Sequence, residues 1–479
     1  MKPGLRCAAV VIGVLALARI ALAANVPLSE DEAYYWTWSR HLAWGYVDHP
    51  PAVAWLIALA APWGRASGLV RLPFVLAYAL AALALGAAAR RLSGSGRAGA
   101  LAALAFALVP ETKVVLGEAL PDGPYVLAWS CTVWCAAELG TAPQSRRWTL
   151  LLGLSLGAAL LSRFFAWALV AGVVASLGRA PQARKSLATA LALALALYAP
   201  FVLWNATHGW ANVAFTFQHR QALGALSPQI SALSSERAAL YAALIWVVAY
   251  AVAWRPRIGL IAWTALPLAT ALAVLGAFTT VESYWLLGPF ASLCVGIGIA
   301  LDRASTGVRR TLGVAWSLSF VYALATLAFF AVPVSLQAHV LQAWPGARNL
   351  LYSGTVLYEP LSHDVAALAP PGSLVLTDRL EIAGELYYHG VDVLMVGYAP
   401  QKRAWNDWRV KERGNAGLPR EGLFVSYSPA YDDAGLMEHL ARYCRALVTG
   451  PTLQYEHAGA RWGAFHTSRC TRSGAPLDT

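Results

Sequence analysis

Residues 148–178 read WTLLLGLSLGAALLSRFFAWALVAGVVASLG, an apolar run that contains one charged residue, Arg163. Both flanks of the run are basic, which indicates the same side of a membrane and an even number of crossings. The run is too short for two full spans, which need roughly 20 residues each. The sequence therefore predicts two shortened helices that meet at LSRFF, with Arg163 at the apex. One long tilted helix with a snorkelling Arg163 is the alternative.

The composition extends this interpretation to the whole chain. Of the 479 residues, 58% are hydrophobic and 13% are charged, whereas about a quarter of the residues in a soluble domain are charged. The chain is therefore predicted to be a polytopic α-helical membrane protein. The formal charge of +11 could indicate a nucleic-acid partner, but the basic residues are dispersed in short clusters between apolar runs. We assign them to membrane topology and expect no nucleic-acid partner.

The loops between the apolar runs alternate in character. One set is rich in Lys and Arg and contains one acid, Asp302, so it is predicted to face the cytoplasm. The acidic and aromatic loops then face outward, with about 11 membrane segments and an external C-terminus. A cleaved signal peptide is the alternative interpretation of the first run. The predicted runs are 7–24, 69–89, 98–116, 123–139, the pair within 148–178, 186–204, 237–254, 258–275, 284–301 and 311–335.

Two outward segments near the N-terminus are too short or too mixed to span. They read DEAYYWTWSRHLAW (31–44) and PPAVAWLIALAAPWG (50–64). Their Trp and Tyr content predicts helices that lie in the membrane interface.

The region 336–479 is more polar and is predicted to be a small α/β domain outside the membrane, following a transmembrane region 1–335. GSLVLTDRLEIAGELYYHGVDVLMVG (372–397) predicts strand, helix and strand, and GLFVSYSPA (422–430) predicts a further strand. Cys444 and Cys470 both lie here, and a disulfide between them is plausible in an oxidising compartment. Two separately buried thiols are the alternative.

Acids from two separate segments lie at one outward mouth of the predicted bundle. Asp31 and Glu32 follow the first span, and Asp122 in LPDGPY begins the fourth. Carboxylates that converge at one mouth could accept a proton from an attacking hydroxyl, so all three are predicted catalytic residues. The alternative is that Ser29, Glu30 and Asp31 cap an interfacial helix; Glu30 could also cap while Asp31 reacts.

The outward face also carries cations that could bind a phosphate leaving group. Taken singly, each could instead anchor a helix end, and His208 and His219 could in principle ligate a metal. Tyr35 and Glu282 complete the predicted substrate-binding set. The predicted cationic contacts are His49, Arg71, Lys113, Arg163, His208 and Arg220.

Several catalytic motifs are missing from the sequence. It contains no Gly-rich phosphate loop, no His-Glu-x-x-His helix and no convincing Ser-His-Asp arrangement. A soluble nucleotide-sugar enzyme is therefore disfavoured, and any sugar donor is expected to be carried on a lipid.

Five segments within about residues 1–335 occur in a characteristic order and spacing. They are DEAYYWTWSRHLAWGYVDHPP, LPDGPYVLAW, GAALLSRFFAWALV, PFVLWNATHGWANVAFTFQHR and VESYWLLGPF. Together they resemble the bacterial family-39-type glycosyltransferases. These belong to the GT-C superfamily, together with protein O-mannosyltransferases and the lipid A aminoarabinose transferase.

The resemblance implies a GT-C fold and inverting transfer of a sugar from a polyprenyl-phosphate donor. The acceptor would be a hydroxyl of a lipid, glycan or protein at the periplasmic face of the bacterial inner membrane. Asp31 matches the family's catalytic acid and Asp122 its second acid. Arg163 stands where relatives usually have Lys, and His49 stands where the aminoarabinose branch has Lys. No cofactor is certain, and a divalent cation is possible.

Two other classes of function compete with this one. A transporter or flippase of a lipid-linked sugar would share the apolar bulk, the intramembrane Arg and the acids. Inverted repeats would favour it, and the two halves show no internal repeat. A non-catalytic binding scaffold at the outer face, which uses the C-terminal domain, would leave the convergence of Asp31, Asp122 and the cations unexplained.

Overall fold

The computed structural model describes residues 3–109, 111–216, 259–275, 281–307, 321, 324–325, 328–343, 355–397, 401–413, 419–457 and 460–472. The chain divides into two compact units. The first unit contains residues 1–24 and 44–328, and the second contains residues 25–43 and 329–479. The predicted span 237–254 and most of 311–335 lie outside the described residues.

The first unit is helical throughout its described part. Four of its described helical segments are long and apolar enough to cross a membrane: Arg6–Ala23, Ser67–Ser93, Pro181–Thr207 and Tyr284–Arg303. Helices are numbered along the whole chain. Those of the first unit are α1 (Pro3–Ala23), α3 (Ala52–Ala60), α4 (Ser67–Ser93), α5 (Gly96–Ala107), α6 (Thr112–Leu116), α7 (Asp122–Leu139), α8 (Arg146–Leu160), α9 (Ala166–Leu177), α10 (Arg184–Thr207), α11 (Ala211–Ala214), α12 (Gly259–Leu275) and α13 (Leu287–Arg303).

Small residues allow these helices to pack closely. At Gly298 of α13, an added Cβ would lie only 2.4 Å from the carbonyl oxygen of Ala98 in α5. Close backbone approach at small residues is the usual basis of helix packing in membranes, where apolar burial drives association less than it does in water. The turn after α4 uses Gly94 at φ 74°, a left-handed conformation that favours glycine and ends the helix.

The apolar run 148–178 is broken as predicted. Helix α8 ends at Leu160 and α9 begins at Ala166, so Arg163 lies in the break. The backbone N–H of Arg163 still donates to the carbonyl of Ala159 over 3.1 Å, and its side chain is buried. The alternative of one long helix is wrong.

The second unit is an α/β domain that includes the N-terminal segment 25–43. Its strands are β1 (Leu374–Thr377), β2 (Val393–Met395), β3 (Glu421–Ser426), β4 (Cys444–His457) and β5 (Ala460–Arg472). Its helices are α2 (Glu30–Arg40), α14 (Val334–Ala343), α15 (Tyr358–Leu368), α16 (Leu380–Tyr388), α17 (Lys402–Arg413) and α18 (Ala434–Tyr443).

The five strands form one sheet in the order β2-β1-β3-β5-β4. Strand β1 pairs in parallel with β2 and β3, in the registers Val375 with Val393 and Val375 with Leu423. Strand β5 runs antiparallel to both β3 and β4. The predicted strand–helix–strand unit and the strand after it are confirmed. Cys444 and Cys470, whose pairing the sequence left open, form a disulfide, and both are buried in the core beside the sheet.

Helix α2 packs against α16 within this unit. An added Cβ at Gly384 of α16 would lie 3.0 Å from the backbone nitrogen of Tyr34, so the two helices touch through their backbones. The sequence grouped 25–43 with the membrane region, whereas contacts group it with the C-terminal region. A helix was expected here and is present.

Candidate functional site

The structure brings together two of the predicted residues, Asp122 and Arg163. Asp122 is the first residue of α7, and Arg163 lies in the break between α8 and α9. Arg163 Nη2 donates to Asp122 Oδ2 over 2.8 Å, and the two side chains are 4% and 0% exposed. The guanidinium carbon also lies 5.4 Å from the ring centroid of Tyr284, within cation–π range.

This pair explains how the apolar run accommodates a charge. An isolated buried charge is very costly, and a hydrogen-bonded partner of opposite sign offsets much of that cost. Arg163 Nε is buried and makes no hydrogen bond with the described part of the chain. The guanidinium therefore has donor capacity that Asp122 does not use.

Arg163 also lines a pocket with the Asp48-His49-Pro50 turn. Asp48 and His49 are both buried, at 8% and 7% exposure. The pocket places an Arg and a His beside an acid and several aromatic rings. Its lining residues are Asp48, His49, Pro50, Arg163, Phe164, Phe165, Asn212, Thr216 and Trp285.

Backbone hydrogen bonds fix this turn relative to the break. The Ala52 N–H donates to the carbonyl of Leu161 over 3.0 Å, which joins the start of α3 to the end of α8. Asn212 Nδ2 donates to the carbonyl of Val47 over 3.0 Å. The Tyr46 N–H donates to the carbonyl of His49 over 3.2 Å, which closes the turn itself. His49 and Arg163 are thus held at one pocket by contacts from three separate segments.

Sequence reasoning did not identify Asp48, Asn212 and Trp285 as site residues, although all three line the pocket. Asp48 stood beside the predicted His49, and the VESYW segment that holds Trp285 was part of the resemblance. The Asn212 side chain donates to the backbone carbonyls of Tyr46 and Val47, which are distant in sequence. No spacing in the sequence indicates such a bond.

Other predicted contacts lie elsewhere in the first unit. Arg71 is buried and Nη1 donates to the carbonyl of Ala23 at the end of α1, over 3.1 Å. His208 is exposed and stacks on Trp204, with ring centroids 4.4 Å apart. Glu282 is exposed, at the start of the short 3-10 helix Ser283–Leu286. The Lys113 side chain, His219 and Arg220 lie outside the described residues.

The remaining predicted residues belong to α2 in the second unit. Asp31 is exposed. The Glu32 carboxylate accepts from the Ser29 backbone N–H over 2.9 Å and completes a capping box with the Ser29 hydroxyl. Tyr35 is buried and packs edge-on against Trp38. That Asp31 and Asp122 share a site stays a prediction.

Glu30, a cap of α2 in the alternative interpretation, has a different role. Its carboxylate accepts a hydrogen bond from the Tyr358 hydroxyl, which in turn contacts the Tyr427 hydroxyl. Burial raises the pKa of Glu30 to about 7, and the charges of Glu381 and Asp31 act in the same direction. Ser29 and Glu32 therefore supply the cap, which confirms Ser29 in the capping alternative, and Glu30 does not.

An apolar groove on the first unit adjoins the α8–α9 break. It is formed by α3, α7 and α8, and its lining includes Leu161 and Ser162, the two residues before Arg163. Nearly all of the rest of the lining is apolar, including Trp55, Leu127, Leu151 and Leu154.

A metal site was left open by the sequence. Among the residues that the structure describes, no three His, Cys, Asp or Glu side chains are grouped so that they could hold a metal ion. Asp122 is engaged with Arg163.

Comparisons with known proteins agree with the resemblance seen in the sequence. Residues 48–204 match the family model described as dolichyl-phosphate-mannose-protein mannosyltransferase, a segment that includes His49, Asp122 and Arg163. The chain is 23% identical over 412 residues to the lipid A galacturonosyltransferase RgtD of Rhizobium johnstonii, with 81% of this chain and 80% of the relative covered.

Two crystal structures of ArnT from Cupriavidus metallidurans match nearly the whole chain. The apo form gives a TM-score of 0.63 and the form bound to undecaprenyl phosphate gives 0.62. Both are 17% identical and cover 98% of this chain and 99% of that chain. The predicted GT-C fold is confirmed, as a helical bundle with a small sheet, and so is the resemblance to GT-C membrane glycosyltransferases.

Proposed function

From the fold shared with ArnT and the match to the mannosyltransferase family model, we propose that this chain is an inverting glycosyltransferase. It takes a sugar from a polyprenyl-phosphate donor and transfers it to a hydroxyl of a lipid, glycan or protein acceptor. The reaction takes place at the periplasmic face of the bacterial inner membrane, which the chain crosses several times. RgtD is named for transfer to lipid A, and one ArnT structure holds undecaprenyl phosphate.

The observation that carries the proposal is the placement of Arg163. Its side chain is buried, lines a pocket with His49 and retains donor capacity beyond the bond to Asp122. A guanidinium is well suited to a phosphate because it presents several N–H donors in one plane. We assign the donor phosphate to Arg163 and His49, with Asp48 accepting from a hydroxyl of the sugar.

The apolar groove supports a donor that is carried on a lipid. It begins at Leu161 and Ser162, directly beside the residue assigned to the phosphate. Its lining of Leu, Ala and Trp side chains suits a polyprenyl chain, whose burial is favourable in proportion to its apolar area. The polar pocket and the apolar groove thus match the two ends of one lipid-linked donor.

The proposed chemistry is a single displacement at the anomeric carbon. The acceptor oxygen forms the new glycosidic bond, and the bond from the anomeric carbon to the phosphate oxygen breaks, which releases polyprenyl phosphate. Asp31 is assigned as the base that takes the proton of the acceptor hydroxyl, since a carboxylate can perform this step. Asp122 is assigned a positioning role, because its carboxylate holds Arg163.

Purified full-length protein, a labelled polyprenyl-phosphate sugar and candidate acceptors test the proposal. The expected result is release of free polyprenyl phosphate together with a labelled acceptor. Movement of the label across liposomes without bond cleavage would instead identify a transporter.

Two variants separate binding from reaction in that assay. Arg163→Gln should weaken donor binding by roughly tenfold to a hundredfold, the effect of losing charge-assisted hydrogen bonds. Asp31→Asn should retain donor binding and lower transfer by roughly 10²–10⁴-fold. The matched control is Arg146→Gln, which changes an exposed Arg at the start of α8, the helix that ends at the break. Normal turnover by Asp31→Asn would remove Asp31 from the mechanism.

A further inference from the structure

The second unit contains a cavity that the proposed transfer reaction does not use. Strands β1, β2 and β3 are parallel, so their carboxyl ends meet at one edge of the sheet. The strand order reverses at β1, because the chain continues to β2 on one side and to β3 on the other. Ligands of open α/β sheets bind in the crevice at this kind of edge.

The cavity has a volume of about 370 Å³ and is lined by residues that follow all three strands. This volume lies within the usual range for small-molecule sites, roughly 300–1,000 Å³. Gly397 follows β2 with φ +94°, and an added Cβ there would lie 3.4 Å from Asp378 Cβ and 3.6 Å from Leu436 Cδ1. The lining residues are Asp378, Arg379, Leu380, Glu381, Gly397, Gln401, Asp433 and Leu436.

The chemistry of the lining selects a class of ligand. Asp378, Glu381 and Asp433 place three carboxylates on the lining, and Arg379 is the cation among these residues. Arg379 Nε pairs with Asp378 Oδ2 over 3.3 Å, and Asp433 Oδ1 accepts from the Leu436 backbone N–H over 2.9 Å. Asp378 Oδ1 is buried and accepts no hydrogen bond from the described residues. Acceptors in excess suit hydroxyl or ammonium donors and disfavour an anion. Leu380 and Leu436 add apolar surface, which suits the C–H face of a sugar ring.

The cavity is structurally connected to α2. Glu381 lies in the first turn of α16, the helix whose Gly384 packs against Tyr34 of α2. The charge of Glu381 contributes to the raised pKa of Glu30, the residue beside Asp31. A ligand held by Glu381 would therefore lie in the same packed unit as the residue assigned as base.

We propose that this cavity binds a neutral or amino-bearing sugar residue of the acceptor, through donors to Asp378, Glu381 and Asp433. The assignment to an acceptor rests on the proposed function. The cavity is then a specificity site, which recognises a carbohydrate part of the acceptor and excludes anionic sugars.

Saturation-transfer difference NMR on the full-length protein in detergent tests this without turnover. The probes are D-glucose, D-glucosamine and D-glucuronate, which share a ring and differ in charge. Glucose and glucosamine should give signals and glucuronate should give almost none. The strongest signal from glucuronate would overturn the proposal.

A double variant assigns the signal to the cavity. Asp378→Asn with Glu381→Gln should lower the glucose and glucosamine signals by roughly tenfold, because two charged acceptors are replaced by amides. The control pair Glu359→Gln with Asp432→Asn makes the same charge change at exposed positions outside the cavity and should change neither signal.

If the double variant fails to fold, the single variant Glu381→Gln tests whether the sugars bind in this cavity. It should lower the glucosamine signal more than the glucose signal, because it removes one negative charge. Equal signals from this variant and the unmodified chain would refute the cavity assignment. If only the cavity assignment is wrong, the protein still cleaves the donor but the variants do not change sugar binding. If only the proposed function is wrong, the donor stays uncleaved while sugar binding is retained.

Discussion

Asp31 and Asp122 each lie in the first turn of a helix, yet their surroundings are opposite. Asp31 is exposed on α2, a helix that caps itself through Ser29 and Glu32. Asp122 is fully buried at the start of α7, which has no side-chain cap, and pairs with Arg163. An acid in the first turn of a helix can therefore be exposed to solvent or buried in an ion pair. It is buried where a cation from a distant segment reaches the carboxylate.

The comparison separates two kinds of functional residue. A solvated carboxylate can change its protonation state at little structural cost, which a base requires. A carboxylate in a buried ion pair cannot, because loss of its charge leaves the buried partner unpaired. The two regions should therefore respond to the same substitutions in different ways.

Substitution of each acid by Ala tests this with the largest expected effect. Asp122→Ala should lower the free energy of unfolding by about 3–5 kcal/mol, because it leaves the Arg163 guanidinium buried without its carboxylate. Asp31→Ala, at an exposed position, should change it by less than about 0.5 kcal/mol. Unfolding in detergent, followed by tryptophan fluorescence, measures both values.

The double variant Asp122→Ala with Arg163→Ala completes the cycle. Its loss of stability should be smaller than the sum of the two single losses, because neither charge is then left alone. Additive losses would show that the pair does not stabilise the break between α8 and α9.

Glu30 lies between these extremes and should make the stability of α2 depend on pH. Burial raises its pKa to about 7 from 4.5. Between these values the folded chain keeps a proton that the unfolded chain has lost, so stability falls as the pH rises through this window. The expected loss is about 1–3 kcal/mol, at about 1.4 kcal/mol for each unit of pKa shift.

Hydrogen–deuterium exchange of residues 25–43, corrected for the intrinsic rate, measures this dependence. Protection should be lower at about pH 8 than at about pH 5 in the unmodified chain. Glu30→Gln, which cannot ionise beside Tyr358 and Tyr427, should abolish the difference. Glu359→Gln, at an exposed position, should retain it. Equal protection at both pH values in the unmodified chain would contradict a raised pKa of Glu30 in the folded protein.

Much of the fold could be predicted from the sequence because apolar run length and loop charge act locally. The break at Arg163 followed from basic flanks and from a run too short for two full spans. The first three strands of the second unit were likewise visible in the alternation of apolar residues, whereas the Cys444–Cys470 pairing stayed open until the structure joined the two thiols. Each of the predicted features depends on neighbouring residues, which a sequence displays directly.

The candidate site was harder to predict because its contacts join distant segments. Arg71 carries a guanidinium that could bind a phosphate, yet this group donates to the backbone carbonyl of Ala23. Asn212 enters the pocket because it bonds carbonyls more than a hundred residues away, at Tyr46 and Val47. Glu32 was predicted to be catalytic, and its carboxylate is used in a helix cap. Such roles depend on tertiary partners rather than on residue type.

The smallest expected effect concerns this cap. Glu32→Gln can still accept from the Ser29 backbone N–H and should change stability by only a few tenths of a kcal/mol, whereas Glu32→Ala should cost about 1 kcal/mol. Because Glu32 is fully buried, a purely structural role predicts that sugar transfer follows stability, with Gln nearly normal and Ala moderately reduced. If Gln and Ala abolish transfer equally while the protein remains folded, Glu32 acts through its charge and joins Asp31 as a reacting carboxylate. Measuring transfer and unfolding on the same two preparations distinguishes these outcomes.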